Sequence, residues 1–377
     1  MLNAGSSSLK FALTDTHTRR HRVRGRVERV GEKESFLVLE GKTHPVEAPD
    51  HHRALAAALA HADLGGAEAV GHRVVHGGDL RESRRIDAGL MRRIEALIPL
   101  APLHNPANLE GIRAARRLFP DLPQVAVFDT AFHQTLPPVA REYAIPRELA
   151  AAGLRRYGFH GISHAYVSER AAELLGRPLE ELRIVTLHLG NGASATAVRG
   201  GKSVDTSMGF TPLEGLVMGT RPGDLDPGLV LELVRRRGLE AAERLLNHAS
   251  GLLGLSQRSH DLRDLHAARE AGDPAADLAL AAYVYRIVKY VGAYAAVLGG
   301  LDALVFTAGV GEHDAWVRAR VVERLAHLGL TLDPERNARH GPVISRPGPG
   351  PAALVIPTDE ELKIALETER VLKGSGR

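Results

Sequence analysis

Two stretches of the sequence share one design, in which a turn rich in Gly, Asn and Ser separates two short segments typical of strands. They occupy residues 3–10 (Asn-Ala-Gly-Ser-Ser-Ser-Leu-Lys) and 188–195 (His-Leu-Gly-Asn-Gly-Ala-Ser-Ala). Glycine lets a backbone approach a ligand closely, and turn amides and Ser hydroxyls donate hydrogen bonds to anionic oxygens. The first stretch therefore predicts a strand–turn–strand unit that can hold a phosphate, although an ordinary hairpin with a polar tip also fits it.

Predicted strands and helices alternate along the 377 residues, which indicates an α/β protein long enough for two domains. Within this pattern Asn105 is predicted as the N-cap of a helix that begins at Pro106, and Ser163 as the N-cap of a helix reaching Leu175. The predicted strands are 9–13, 22–30, 35–40, 70–75, 125–128, 183–189, 193–198, 304–307 and 353–356. Further predicted helices are 54–64, 229–249, 274–298 and 361–372.

Composition removes several classes of function. The chain has no cysteine, which excludes disulfides, thiol nucleophiles and cysteine zinc sites. A net charge of +3 and an aromatic content of 4% argue against nucleic-acid binding. The sequence shows neither an apolar run of membrane-spanning length nor a signal peptide. We therefore expect a cytoplasmic protein that binds neither nucleic acid nor membrane.

Four glycine-rich turns follow apolar strands, at 3–8, 190–192, 209–228 and 309–311. Any one of them could simply reverse the chain. Their recurrence in both halves favours a single nucleotide held by both.

The segment 205–228 is long, irregular and rich in Gly, Pro, Thr and Asp, and such loops are usually functional. Arg221 lies between Thr220 and Pro222, where we expect a rigid backbone. A fixed guanidinium suits bidentate binding of a carboxylate or a phosphoryl group. The alternative is a surface loop with an exposed arginine.

Other candidate residues lie at predicted strand and helix ends. Arg73 lies among apolar residues near the end of a strand, so its charge must be paired or must face a ligand. Asp129 follows a buried strand and could hold Mg²⁺. The acidic run 359–361 could do the same, and it could also stabilise the helix that it begins. His160 lies between glycines, but the many other histidines keep the sequence alone from singling it out.

These motifs together resemble the acetokinase family of the actin, heat-shock chaperone and sugar kinase superfamily. The resemblance implies two ribonuclease H-like α/β domains with an active-site cleft between them. It places one domain at 1–132, completed by 362–377, and the other at 133–361, and it implies a homodimer. It runs nearly from end to end through residues 3–10, 71–78, 104–108, 128–133, 157–164, 188–194, 205–228 and 357–361.

The resemblance also implies an activity and its residues. The reaction would be reversible transfer of the ATP γ-phosphoryl group to acetate. It would depend on Mg²⁺, for which Mn²⁺ could substitute. Asn3 and Glu360 would order the metal, and the catalytic residues would be Arg73, Asp129, His160 and Arg221. Arg73 would bind the acetate carboxylate, and the methyl group would lie among Val75, Leu103, Phe159 and Pro212. The nucleotide contacts would be Ser6, Ser8, Lys10, His188, Leu189, Gly190, Asn191, Gly192, Asp261, Leu262, Arg263, Gly309, Val310, Gly311, Glu312 and His313.

These roles suit the chemistry, because a simple carboxylic acid has a pKa of ~4.3 and is already ionised at neutral pH. Catalysis must bring two anions together and neutralise charge on the equatorial phosphoryl oxygens. We therefore interpret Asp129 as organising the metal and the arginines, and not as a base. Val75 should crowd propionate, which predicts a preference for acetate.

Three alternatives remain beside this interpretation: a propionate or butyrate kinase of the same family, a chaperone-like ATPase, and a non-catalytic nucleotide-binding module. The chain departs from the family pattern in two places, with His313-Asp314 where Asn and Ser are common and Leu262 where Phe is commoner. Both departures bear on nucleotide preference. The family also has a full strand before the position of Asn3, so we expect the natural start to lie a few residues earlier.

Overall fold

A strand is present at each of the nine apolar runs that were predicted to form one. The structure, a computed structural model, describes residues 1–374. Four strands lie outside these runs. Leu2–Ala4 belongs to the predicted strand–turn–strand unit at 3–10, Lys42–Pro45 and Lys202–Thr206 extend predicted hairpins, and no pattern predicted Arg84–Arg85. In chain order the strands are β1 (Leu2–Ala4), β2 (Ser8–Asp15), β3 (Arg20–Glu28), β4 (Phe36–Leu39), β5 (Lys42–Pro45), β6 (Val70–Val74), β7 (Arg84–Arg85), β8 (Gln124–Phe128), β9 (Arg183–Leu189), β10 (Ala193–Arg199), β11 (Lys202–Thr206), β12 (Ala303–Thr307) and β13 (Ala352–Val355).

Every predicted helix is present, one of them as two helices, and the structure has further helices that the sequence pattern did not predict. The predicted helix 229–249 is two helices, because the chain turns at Gly238, whose φ is 81°. The helices are α1 (His51–His61), α2 (Ala88–Ala96), α3 (Asn105–Leu118), α4 (Pro138–Arg141), α5 (Arg147–Ala151), α6 (Gly161–Leu175), α7 (Pro227–Arg237), α8 (Leu239–His248), α9 (Gly251–Ser256), α10 (Leu262–Glu270), α11 (Pro274–Leu298), α12 (Ala308–His313), α13 (Ala315–Arg324), α14 (Pro334–Ala338) and α15 (Glu360–Gly374). No helix within residues 1–374 has both the length and the apolar character that a membrane crossing requires.

The first of two structural units comprises residues 1–134, 161–163 and 359–374. Its sheet has the order β5-β4-β3-β2-β1-β6-β8-β7, with β1 antiparallel to β2 and parallel to β6. Alternate residues of β8 serve two buried faces. Ala126 and Phe128 pack with α2 and α3, whereas Val125 and Val127 pack with α15. This covering of both faces explains why β8 is apolar almost throughout.

The second unit comprises residues 135–160 and 164–358. Its sheet has the order β11-β10-β9-β12-β13, and β12 is buried at every residue. The long helix α11 packs against β9 and β10. Asp273 caps its N-terminus, and Gly299 ends it in the left-handed conformation that glycine adopts without strain.

The two sheets share one pattern of strand directions. In β3-β2-β1-β6-β8 and in β11-β10-β9-β12-β13, the first two pairings are antiparallel and the last two are parallel. The glycine-rich turns 5–7 and 190–192 join equivalent strands, β1 to β2 and β9 to β10. This arrangement confirms the predicted fold class of two ribonuclease H-like α/β units.

Two predicted N-caps are wrong. Asn105 is the first residue of α3 itself, and His104 occupies the N-cap position. Ser163 lies inside α6 and is fully buried, while His160 precedes that helix with a φ of 57°. In both cases tertiary hydrogen bonds or burial engage the side chain that local rules assign to capping.

Candidate active site

The first glycine-rich turn is anchored from behind by two helices. Nε2 of His51, on α1, lies 2.7 Å from the carbonyl oxygen of Gly5, and Nδ2 of Asn108, on α3, donates to the carbonyl oxygen of Ala4 at 2.8 Å. Gly5 donates its N–H to the carbonyl of Ser8 at 2.8 Å, which closes the turn. Ser6 is exposed, so its hydroxyl lies at the surface of the turn, where such a group can donate to an anionic oxygen.

Asn3 and Lys10, both predicted site residues, are direct partners across the β1–β2 hairpin. Directly opposed residues of antiparallel strands point to the same face of a sheet. Asn3 is half-buried and Lys10 is exposed, so an amide and a mobile cation share this face beside the turn. Ser8, at the start of β2, is half-buried.

Arg73 and Asp129 lie at the ends of the neighbouring parallel strands β6 and β8. Nε of Arg73 donates to Oδ1 of Asp129 at 3.2 Å, and Nη2 donates to Oδ2 at 2.6 Å. Glu360, the first residue of α15, places Oε2 3.6 Å from the same Nε. One guanidinium is therefore shared by two carboxylates.

The charges of this cluster are not balanced. Burial raises the pKa of Asp129 to about 6, and the Glu360 carboxylate adds to the rise, although Arg73 opposes it. For Arg73, burial alone would lower the pKa, but Asp129 and Glu360 outweigh it and raise the pKa. The cluster carries one negative charge more than Arg73 neutralises when both carboxylates are ionised.

This excess negative charge fits a divalent cation. Magnesium is usually bound through one or two carboxylates together with substrate phosphates and water. Among residues 1–374, no group of three or more His, Asp or Glu side chains is arranged to hold a metal by itself. The donor set of the cluster is therefore of the kind that binds magnesium jointly with a phosphorylated substrate.

The four predicted acyl-pocket residues differ in exposure. Val75 follows β6 and is buried, and its N–H donates to Oδ1 of Asn108 at 3.0 Å. Leu103, in the same unit, is 55% exposed. In the second unit Phe159 is buried and Pro212 is half-buried.

His160 has its ring fixed from two directions. Nδ1 lies 2.8 Å from Oγ of Ser194, and the ring stacks on that of His188 with centroids 4.1 Å apart. His160 precedes α6 in the left-handed conformation, and its side chain makes no capping hydrogen bond to that helix. The edge of the ring that carries Nε2 lies near Gly192, where an added Cβ would be 3.6 Å from Nε2.

Arg221 approaches the same glycine. A Cβ added to Gly192 would lie 2.7 Å from Nη2 of Arg221, so a larger residue here would displace the end of the guanidinium. Nη1 of Arg221 donates to the carbonyl oxygen of Pro212 at 2.8 Å. Burial lowers the pKa of Arg221, and no ion pair found within residues 1–374 includes it. His160 and Arg221 thus place two potential donors beside Gly192.

The loop that carries Arg221 is held by side chains outside it. Nη1 of Arg156 donates to the carbonyl oxygens of Thr206 and Met208, each at 3.0 Å, and Nη2 pairs with Glu214 at 2.6 Å. Tyr143 donates its hydroxyl to Glu214 and accepts the N–H of Phe210 at 2.9 Å. The loop conformation thus depends on these anchors as well as on Pro222, the residue that the sequence emphasises.

The predicted nucleotide segments occupy three sites of the second unit. The turn 190–192 closes with a hydrogen bond of 3.0 Å from the N–H of Gly190 to the carbonyl of Gly192. Asp261 caps α10 and pairs with Arg263, and this hydrogen-bonding lowers the pKa of Asp261 to about 2. In the third segment, residues 309–311 were predicted to form a glycine-rich turn. This prediction is wrong, because they lie within α12.

Arg318 fastens the end of α12 from inside the protein. Its guanidinium donates to the carbonyl oxygens of Gly311 and Glu312 at 2.9 and 2.8 Å, and to Oδ1 of Asn337 at 2.8 Å. Burial lowers the pKa of Arg318 to about 10, although Asp314 opposes the change. The buried guanidinium of Arg318 is therefore bonded to neutral acceptors, two of which belong to the segment 309–313 that is predicted to contact ATP.

Comparison with known proteins decides the family. The family model described as "Acetokinase family" matches residues 1–366. The chain belongs to the acetokinase family. An acetate kinase of Leifsonia xyli subsp. xyli is 53% identical over 97% of this chain and 96% of its own length. One of Thermotoga maritima is 49% identical over 100% of this chain and 99% of its own length.

Solved acetokinase structures have the same fold over nearly the whole chain. The acetate kinase of Porphyromonas gingivalis has a TM-score of 0.92 and 44% identity, with 98% of each chain covered. A propionate kinase of Francisella tularensis subsp. tularensis has a TM-score of 0.93 and 42% identity, also with 98% of each chain covered. Membership of the acetokinase family makes this chain a kinase, and the fold similarity extends across relatives named for two different acids.

Sequence reasoning missed several residues that support the acetokinase motifs. In the first unit these are His51, Asn105 and Asn108, and in the second Arg156, His164, Ser194 and Arg318. A signal was available only for the two asparagines, which lie three residues apart in 104–108 and therefore share one side of α3. The other residues reach partners that no local pattern indicates.

Proposed function

We propose that this chain catalyses the reversible transfer of the γ-phosphoryl group of ATP to acetate, giving acetyl phosphate and ADP. The observation that carries the proposal is Arg221, a largely buried guanidinium without a carboxylate partner among residues 1–374, which approaches Gly192 beside His160. A transferring phosphoryl group spreads negative charge over its equatorial oxygens. Donors fixed in a partly dry site stabilise such charge without reorganising.

Arg73 is suited to hold the acceptor. Its bonds to Asp129 use Nε and Nη2, so Nη1 remains for the acetate carboxylate. Asp129 then acts by fixing the guanidinium, because acetate is ionised at neutral pH and requires no base. Val75, buried two residues after Arg73, supports an apolar environment for the methyl group. The family resemblance adds Leu103, Phe159 and Pro212 to this assignment.

We propose Glu360 and Asn3 as the residues that hold Mg²⁺, with Mn²⁺ as a substitute. The unbalanced carboxylates of Asp129 and Glu360 support this assignment. When bound, the metal supplies positive charge to the β- and γ-phosphate oxygens. Lys10 adds a further cation on the same face of the sheet as Asn3.

The remaining assignments concern ATP and the molecular setting. We propose that the first turn contacts the phosphates through Ser6 and Ser8. In the second unit we propose three nucleotide-contacting segments, 188–192, 261–263 and 309–313. The family resemblance also favours a homodimer in the cytoplasm.

Acyl phosphate formation tests the proposal directly. With ATP and Mg²⁺, trapping by hydroxylamine should give acetyl hydroxamate faster than the propionyl or butyryl product. Arg221→Ala should abolish the product, whereas Arg237→Ala on the exposed end of α7 should not alter it. A faster reaction with propionate would favour a propionate kinase, the activity named for the Francisella relative. ATP hydrolysis without any hydroxamate would favour a chaperone-like ATPase.

A further inference from the structure

A chain of polar side chains leads from His160 into the interior of the second unit. Oγ of Ser194 lies 2.8 Å from Nδ1 of His160 and 2.8 Å from Nε2 of His164. Nδ1 of His164 lies 2.7 Å from Oγ1 of Thr186. Ser194, His164 and Thr186 are all fully buried. The protonation of His160 is therefore linked to groups that bulk solvent does not reach.

The serine hydroxyl couples the two imidazole rings. A hydroxyl has one proton and two lone pairs, and within residues 1–374 the two ring nitrogens are the partners found for Oγ of Ser194. If Ser194 accepted from both rings, its own buried proton would lack an acceptor, so it donates to one ring nitrogen and accepts from the other. If Ser194 donates to Nδ1 of His160, the neutral His160 ring carries its proton on Nε2. If Ser194 instead donates to His164, the neutral His160 ring carries its proton on Nδ1 and has only a lone pair at Nε2.

We call the arrangement in which Ser194 donates to His160 the first order, and the one in which it donates to His164 the second order. The hydroxyl of Thr186 discriminates between them. In the first order Thr186 donates to Nδ1 of His164 across 2.7 Å. In the second order it accepts from His164, and its own proton is directed to the carbonyl oxygen of Thr196 at 3.5 Å. A hydrogen bond of 2.7 Å lies at the optimum for a hydroxyl donor, whereas 3.5 Å lies beyond it. The first order is therefore favoured.

We propose that Ser194, His164 and Thr186 are positioning residues that hold neutral His160 with its proton on Nε2. This N–H then lies beside Gly192, which Nη2 of Arg221 also approaches. Stacking on His188 fixes the plane of the ring, and Ser194 fixes its rotation within that plane. The proposal rests on the proposed function, because it makes His160 a hydrogen-bond donor to the phosphoryl group.

The tautomer can be measured without substrate. In protein labelled with ¹⁵N-histidine, we expect the two-bond ¹H–¹⁵N spectrum near pH 8 to show His160 protonated on Nε2. The His160 signals are assigned by their loss in His160→Gln. Ser194→Ala and Thr186→Val should shift His160 toward a mixture of tautomers, and Thr186→Ser should restore the wild-type pattern. Thr196→Val is the matched control, since its buried hydroxyl bonds to Thr206 and not to a histidine.

Kinetics supply a second readout. Ser194→Ala and Thr186→Val should lower kcat by roughly 10-fold, as expected for misplacement of a transition-state donor, while KM for ATP and acetate changes little. Protonation of wild-type His160 on Nδ1 would overturn the proposal, as would an unchanged tautomer and kcat in both variants. Failure of the proposed function would appear separately, as wild-type protein with the expected tautomer but without acyl phosphate formation.

Discussion

Asn108 accepts the backbone N–H of Val75 at 3.0 Å through Oδ1, while its Nδ2 donates to the carbonyl oxygen of Ala4 at 2.8 Å. A single buried side chain on α3 thereby joins the first glycine-rich turn to the start of the proposed acyl pocket. Its two hydrogen bonds use the two ends of one carboxamide, so they can be removed separately.

Asn108→Asp should impair the phosphate turn and leave the acyl pocket intact. The carboxylate keeps an acceptor for Val75 but places an oxygen against the carbonyl of Ala4, where two acceptors repel. We expect KM for ATP to rise by about 10-fold, the equivalent of a lost hydrogen bond of ~1.4 kcal/mol. The ratio of acetate to propionate activity should not change. Steady-state kinetics of Asn108→Asp measures both quantities.

Two further variants control this prediction. Asn108→Ala removes both hydrogen bonds and should alter the acid preference as well as KM for ATP. Asn247→Asp makes the same chemical change on α8, where the amide donates to a carbonyl of its own helix, and should have little effect. Equal effects of Asn108→Asp and Asn247→Asp would show that the Ala4 bond does not shape the turn.

Gly192→Ala should lower kcat with little loss of stability. The added methyl would lie 2.7 Å from Nη2 of Arg221, which must then move away. A displacement of this size in a group that stabilises the transition state costs about 100-fold in rate. Gly292→Ala is the control, because nothing lies within 4 Å of its added Cβ and alanine favours a helix. A Gly192→Ala enzyme within twofold of wild type would remove Arg221 from the proposed role.

His72 should make the fold sensitive to acid. Burial lowers the pKa of His72 to about 4, although its hydrogen bond to Gln124 opposes the change. Between pH 4 and 6.5 the unfolded chain binds more protons than the folded one, so stability falls as the pH falls. From pH 7.5 to 5.0, His72 should account for a loss of about 2 kcal/mol in the free energy of unfolding.

Urea unfolding at the two pH values measures this loss. His72→Gln should lose less stability on acidification than the wild type does. His327→Gln, at an exposed position, should follow the wild type. Parallel pH dependences in wild type and His72→Gln would mean that His72 is already protonated in the folded state.

Val75→Ala should admit larger acids. Val75 is buried, and one methylene in an apolar pocket is worth ~1–3 kcal/mol of discrimination. We expect kcat/KM for propionate relative to acetate to rise by roughly 10-fold. Val139→Ala, at a side chain that is 93% exposed, should leave the ratio unaltered. An unchanged ratio in Val75→Ala would place the acyl group elsewhere.

The sequence predicted what depends on local pattern. Apolar runs identified nine of the thirteen described strands, and the shared turn design correctly indicated equivalent hairpins in the two units. It did not predict the roles of Asn105 and Ser163, because capping rules consider only neighbours along the chain. Asn105 instead brackets the backbone of His76, accepting its N–H and donating to its carbonyl, each at 3.1 Å.

The supporting residues of the candidate site were missed for a related reason. Asn108 donates to Ala4 across 104 positions of the sequence. Arg156 donates to carbonyl oxygens of the loop that carries Arg221 across about 50 positions. Contacts at such separations come from strand order and helix packing, which a single sequence does not reveal. The charged residues Arg73, Asp129 and Arg221 were easier to identify, since a charge next to a buried strand or in a long loop requires an explanation.

The pairing of Asn3 with Lys10 limits how this motif can vary. Side chains alternate between the two faces of a strand, so an insertion or deletion of one residue in the turn would slip the register and transfer one partner to the opposite face. Substitutions at Ser6 or Ser7 do not change the number of residues in the turn, so Asn3 and Lys10 stay on the same face of the sheet. The distance between the asparagine and the lysine, counted in residues, is therefore a stricter criterion for recognising distant relatives than the identity of the turn residues themselves.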